Sequence, residues 1–97
     1  MEKLTVPLTY GQALFDAAKD CGKVDEISEE YKAVSQVFTD NPLLKRLLVI
    51  PTVPALDKKA VAEKVFGDRI SQELLNFIRI LIDKRRIGSW DGIGRQY

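Results

Sequence analysis

Histidine is absent from these 97 residues, and cysteine occurs once, at Cys21. The first absence removes the side chain whose charge changes nearest neutral pH. With it go Ser-His and Cys-His nucleophile pairs and the commonest metal ligand. The second rules out an internal disulfide and any zinc site built on several thiolates, so Cys21 is expected to be a small buried hydrophobe near a helix end. Charge of one sign is lacking too. Fifteen basic residues stand against 14 acidic ones, and a net charge of +1 supplies no electrostatic footprint for nucleic acid or an anionic membrane. No apolar run nears the roughly 18 residues of a membrane span, and the opening MEKLTVPL resembles neither a signal nor a transit peptide. These features predict an intracellular chain that does not insert into a membrane. Nothing meets the geometric roles of an enzyme site, and neither a metal nor a cofactor is expected.

What is present is helical periodicity, strongest between Ser71 and Gly88. Gln72, Asn76, Arg79 and Asp83 form a narrow polar stripe at i, i+4, i+7 and i+11. Leu74, Leu75, Phe77, Ile78, Ile80, Leu81 and Ile82 fill most of the remaining circumference. An ordinary surface helix needs an apolar arc of only about 100°. This one must therefore be walled in by several neighbours, or hold part of its arc for something outside the chain. Ser71 is the expected N-cap, Ile70 and Leu75 a hydrophobic staple, and Lys84, Arg85 and Arg86 suit the C-terminal end of the dipole before Gly88.

The other segments follow the same period. Leu4 to Cys21 reads as a first helix, ended by Gly22, with a wide arc of small residues including Gly11, Ala13, Ala17 and Ala18 that lets another backbone approach. Val24 to Thr39 is a second helix with a narrow stripe of Val24, Ile27, Tyr31, Val34 and Phe38. Its carboxylates Asp25, Glu26, Glu29 and Glu30 are expected in water. Asn41-Pro42 starts a short third helix that Pro51 stops. Ile50 to Leu56 is a loop. A fourth helix runs from Asp57, its expected cap, to Phe66, with Leu56 and Val61 as staple. Trp90, Ile93 and Tyr97 then mark a sixth helix whose Gly92 and Gly94 cost roughly 2 kcal/mol of propensity, so it depends on tertiary packing. No strand-like alternation appears. The prediction is an all-α bundle of about six short helices in one domain.

Taken in order, Tyr10-Gly11-Gln12-Ala13-Leu14-Phe15 with Ala17-Ala18, Asn41-Pro42-Leu43-Leu44, Ile50-Pro51-Thr52-Val53, Phe66-Gly67, and Asn76 to Lys84 with Arg86-Ile87 resemble one family. It is the N-terminal domain of the ATP synthase delta subunit, called the oligomycin sensitivity conferral protein in mitochondria. Two departures stand out: Gly11 where the family usually has Ala, expected to loosen the first helix, and Arg85 where it often has Gly, which bears on the turn that follows. The family's subunit is about twice as long. The apolar pattern still running at Tyr97 agrees with an N-terminal domain whose C-terminal partner domain is missing.

The resemblance implies a stator component of the F-type ATP synthase with no chemistry of its own, held at the membrane face of a bacterium or organelle through partners. It implies a groove between the first and fifth helices that receives the N-terminal helix of an alpha subunit, while the C-terminal domain holds the b subunit. Carried over by position, the partner-binding residues are Tyr10, Ala13, Leu14 and Ala17 on the first helix and Asn76, Phe77, Ile80 and Lys84 on the fifth. Two other readings compete. A death-domain-like adaptor would associate through charged faces, and a helical nucleic-acid binder would use Lys58, Lys59, Lys84, Arg85 and Arg86.

Overall fold

Each apolar stripe read above has to find a wall, and the computed structural model shows which wall each one meets. It describes residues 2–97, with side chains from Thr5 onward. The elements are α1 (Glu2–Asp20), α2 (Val24–Asp40), α3 (Pro42–Val49), α4 (Ala55–Phe66), α5 (Gln72–Asp83), a 3₁₀ turn (Ile87–Ser89) and α6 (Trp90–Gln96). Among the described residues there is no strand, and the all-α expectation holds.

α5 is the central helix. Leu74, Leu75, Phe77, Ile78, Leu81 and Ile82 are all buried, and Ile80 alone of its large apolar residues stays exposed, at 47%. α4 packs along one side of it and α1 along another. α2 contributes Ile27, Tyr31, Val34 and Phe38 to the same core, as its stripe predicts. α1 is held chiefly by α6, and here the glycines act. A Cβ at Gly11 would lie 2.7 Å from the Gln96 Cβ and 2.9 Å from the Ile93 carbonyl oxygen, so Gly11 is where the two backbones touch.

The aromatic centre of the bundle is Trp90, fully buried at the start of α6. Tyr31 stacks on it with ring centroids 3.9 Å apart and planes 5° from parallel, and Phe38 meets it edge-on at 5.5 Å. Three hydrogen bonds close this contact. The Tyr31 hydroxyl donates to the Trp90 carbonyl at 2.6 Å, the Trp90 indole N–H donates to Ser35 Oγ at 2.9 Å, and the Ser35 hydroxyl donates to the Tyr31 carbonyl at 3.0 Å. At the far end of α6 the Tyr97 hydroxyl donates to the Val24 carbonyl at 2.6 Å.

Several local expectations give way to tertiary ones. Ser71 does begin α5, but its side chain makes no capping bond. Its amide and hydroxyl both donate to Glu30 Oε1, at 3.0 and 2.8 Å, so Glu30 is half-buried against α5 rather than in water. α4 starts at Ala55 with Pro54 in the capping position; Asp57 sits inside its first turn, and Leu56 is 77% exposed, so the expected staple does not form. Cys21 is exposed, because α1 ends there with its Sγ turned to the Ala17 carbonyl at 3.2 Å.

Helix ends follow the same logic at two places. Gly22 and Arg85 both adopt the left-handed conformation, φ 69° and 59°. In each case the two following-turn amides bond back into the helix: Gly22 and Lys23 to the Lys19 and Ala18 carbonyls, Arg85 and Arg86 to those of Ile82 and Leu81. The left-handed turn at Arg85 ends α5 at Asp83, well before Gly88, and it holds an arginine in a conformation that glycine fits better.

Three outcomes are expected. Arg85→Gly raises stability by about 0.5–1 kcal/mol, read as a higher urea midpoint at unchanged m-value. A Cβ at Gly94 would lie 2.7 Å from Tyr31 Cε1, and Tyr31 is locked by stacking and hydrogen bonding, so Gly94→Ala lowers stability by about 1–3 kcal/mol; no change in midpoint would show that the ring yields freely. Burial pushes the Tyr31 phenol well above its ordinary value of about 10, with Asp91 adding to the shift. The unfolded chain then ionises first as pH rises, so the stability this group contributes is complete below pH about 10 and falls above it. Tyr31→Phe lowers stability near neutrality by about 1 kcal/mol and flattens the fall between pH about 9.5 and 11, measured by urea titration.

A cleft between the first and fifth helices

α1 and α5 run antiparallel. Tyr10 lies edge-on to Phe77 with ring centroids 6.4 Å apart, while Lys23, just past the other end of α1, reaches Glu73 at 3.2 Å. Each helix turns one stripe toward the space between them: Tyr10, Ala13, Leu14 and Ala17 on α1, and Glu73, Asn76, Phe77 and Ile80 on α5, both spaced i, i+3, i+4, i+7. Where bulky side chains would close that space, Ala13 and Ala17 leave it open. A cleft of about 260 Å³ results, lined by Ala13, Leu14, Ala17, Glu73, Asn76, Phe77 and Ile80.

Leu14 and Phe77 form its floor, 2% and 6% exposed, and both also belong to the core. Ala13, Ala17 and Asn76 are exposed on the walls, and Ile80 is the apolar lip. Of the residues carried over by position, Tyr10 stands at the edge against Phe77 and Lys84 lies exposed at the C-cap of α5, outside the lining. The other six line the cleft together.

Glu73 is the lining residue that sequence reasoning passed over. It lies three, four and seven positions before Asn76, Phe77 and Ile80, so the stripe itself could have revealed it. A hydrogen bond from its own backbone amide, and then the Lys23 ammonium, hold its carboxyl below the usual range. The hydrogen bond that Lys23 donates to the Glu73 carboxylate, and that carboxylate's charge, raise the Lys23 ammonium above its ordinary value.

Asn76 is held differently. Arg79 donates to its Oδ1 at 2.7 Å and forms an ion pair with Glu63 of α4 through its other nitrogen. The Asn76 oxygen is thus taken, and its NH₂ group remains the donor that this exposed residue can offer.

Three larger depressions lie elsewhere, about 610 Å³ beside Val37, Leu44 and Val65, about 590 Å³ beside Phe38, Val49 and Pro51, and about 510 Å³ beside Ala60, Val61 and Lys64. None of them is lined by matched i, i+3, i+4, i+7 stripes from two helices, the pattern that suits a helical ligand. The five cations weighed for nucleic acid are not equally available, since Lys58 is buried and Lys59 pairs with Asp83 at 2.7 Å. Among the described residues no group of three or more His, Cys, Asp or Glu side chains could hold a metal, and no helix is long and apolar enough to cross a membrane.

With the cleft described, comparison with known proteins gives a consistent answer. Residues 6–97 match the family described as ATP synthase delta (OSCP) subunit. The chain is 41% identical over 93 residues to the ATP synthase subunit delta of Lachnoclostridium phytofermentans, covering 96% of this chain and 50% of that protein. It is 38% identical over 82 residues to that of Syntrophomonas wolfei, covering 84% and 45%, and 38% identical over 86 residues to that of Bacillus subtilis, covering 89% and 47%. The chain spans about half the length of these relatives.

Proposed function

The chain belongs to the ATP synthase delta (OSCP) subunit family, and on that premise we propose that it is a non-catalytic stator module that joins the catalytic head to the peripheral stalk. Its contact with the head is the α1–α5 cleft, and the occupant is an amphipathic helix from the N-terminus of an alpha subunit. The b subunit is assigned to the C-terminal domain that the resemblance implies, and none of that contact to residues 2–97. On this reading the protein sits at the membrane-bound complex through its partners, and it transmits torque without touching nucleotide or protons.

The observation that carries the reading is the unfilled cleft itself. Ala13 and Ala17 keep it open, while Ile80 remains 47% exposed on a helix whose other large apolar residues are all buried. An apolar strip of that kind, one helix long, suits recognition by i, i+3, i+4, i+7 anchors. A docked helix of ordinary interface size would bury about 1,200–1,600 Å² in total, compatible with micromolar to nanomolar affinity.

The test is an NMR titration of the chain with a synthetic peptide of about 20 residues, taken from the N-terminus of the cognate alpha subunit. Saturable shifts centred on Tyr10 to Ala17 and Glu73 to Ile80 are expected. Ile80→Asp should leave thermal stability within about 0.5 kcal/mol, because the side chain is already half in water, and weaken binding by tenfold or more. Shifts elsewhere, or none at millimolar peptide, would overturn the cleft as the binding site.

A further inference from the structure

Resting on that reading of the cleft, we infer that Arg79, anchored by Glu63, is a positioning residue that commits Asn76 to act as a hydrogen-bond donor. The cleft thereby selects a helix that carries an acceptor side chain among its apolar anchors.

An asparagine amide can present either its oxygen or its NH₂ group, and an unrestrained one offers both in turn. Here the choice is made from outside the cleft. Arg79 lies three residues along α5 from Asn76 and takes Oδ1 at 2.7 Å. Arg79 is only half-buried, yet it is held in place because its second nitrogen pairs with Glu63 on α4. The chain Glu63 to Arg79 to Asn76 thus runs from exposed Glu63 on α4 to the cleft, which Asn76 lines together with Phe77 and Ile80, and the group of Asn76 that Arg79 does not take is its NH₂. One turn earlier Glu73 is arranged with opposite polarity. Lys23 donates to its Oε1 at 3.2 Å, and the carboxylate, which can only accept, lines the same cleft.

A docked helix therefore meets an acceptor at Glu73 and a donor at Asn76, about one turn apart. Apolar anchors alone would allow it to slide by a turn or to reverse. A fixed donor and a fixed acceptor admit one register, in which an acceptor such as a carboxylate, carboxamide or hydroxyl faces Asn76. A donor placed there is left unpaired against NH₂, which a buried contact does not tolerate.

Asn76→Asp tests this, because it keeps an oxygen for Arg79 and exchanges the NH₂ donor for an anionic acceptor of the same shape. Binding of the same alpha-subunit peptide should weaken about five- to tenfold or more, the loss of one hydrogen bond with an oxygen set against an acceptor. Arg79→Met, with Asn76 intact, should weaken binding by a smaller factor and broaden the side-chain NH₂ resonance of Asn76. In the unmodified protein that resonance should sharpen and shift on saturation. Arg79→Lys should restore part of the loss. A purely structural role for Arg79 would change stability without moving the Asn76 NH₂ resonance. If the unmodified chain binds in the cleft while Asn76→Asp binds equally well, the donor assignment is overturned and the cleft reading survives. If the unmodified chain shows no binding, both are overturned.

Discussion

The stacking of Tyr31 on Trp90, closed by three hydrogen bonds, is the contact on which the other packing depends. α6 has seven residues, two of them glycine, and no isolated peptide of that kind would be helical. It exists because its first residue is locked into the core by Tyr31, Ser35 and Phe38 and its end is tied through Tyr97 to Phe15 and the Val24 carbonyl. Once placed, α6 becomes the support for α1. The glycines that make α6 weak in isolation are what allow that support, since Gly92 and Gly94 give Pro7 and Tyr31 room to approach, as Gly11 does for α6 itself. Because α1 is drawn onto α6 at Pro7 and Gly11, its other edge is held beside α5 without collapsing onto it. The cleft is a consequence of that division.

α5 is a different kind of element, with so much apolar surface that burial is never in question. What packing cannot set is its register, since leucines and isoleucines on most sides would tolerate sliding. Polar ties from three directions supply it: Glu30 of α2 on Ser71, Lys23 on Glu73, and Lys59 and Glu63 of α4 on Asp83 and Arg79. Surface pairs of this kind stabilise little, a median of about 0–1 kcal/mol each. Their effect is on alignment, and two of them also shape the cleft wall.

This division of labour suits the proposed stator role. With a net charge of only +1, the proposed docking would rest mainly on shape and apolar area. A rigid frame reduces the ordering entropy lost on docking, and the open, small-walled cleft would let the proposed partner helix complete a three-helix contact with α1 and α5.

The amino-acid sequence by itself determined the helical class, the number of helices and most of their limits, the start of α4 and the end of α5 excepted, because period, proline and glycine act within one or two turns. It also determined that α1 and α5 carry more apolar or small surface than a lone face requires, and the family likeness put Asn76, Phe77 and Ile80 on one stripe. Only the tertiary structure decided which part of that surplus stays open. Phe77 and Leu14 are floor while Ile80 is lip, a distinction set by where α4 and α6 lie and invisible in a helical projection. The same holds for the polar groups. Ser71, Asp57 and Leu56 invite local capping and stapling, yet Glu30, 41 positions away from Ser71, takes the α5 terminus. Asn76 reads as a residue that could donate or accept, until Arg79 and Glu63 turn it one way. Local rules can pair Asn76 with Arg79 three positions on, but Glu63, which fixes Arg79, lies 16 positions away on α4 and is brought there only by folding.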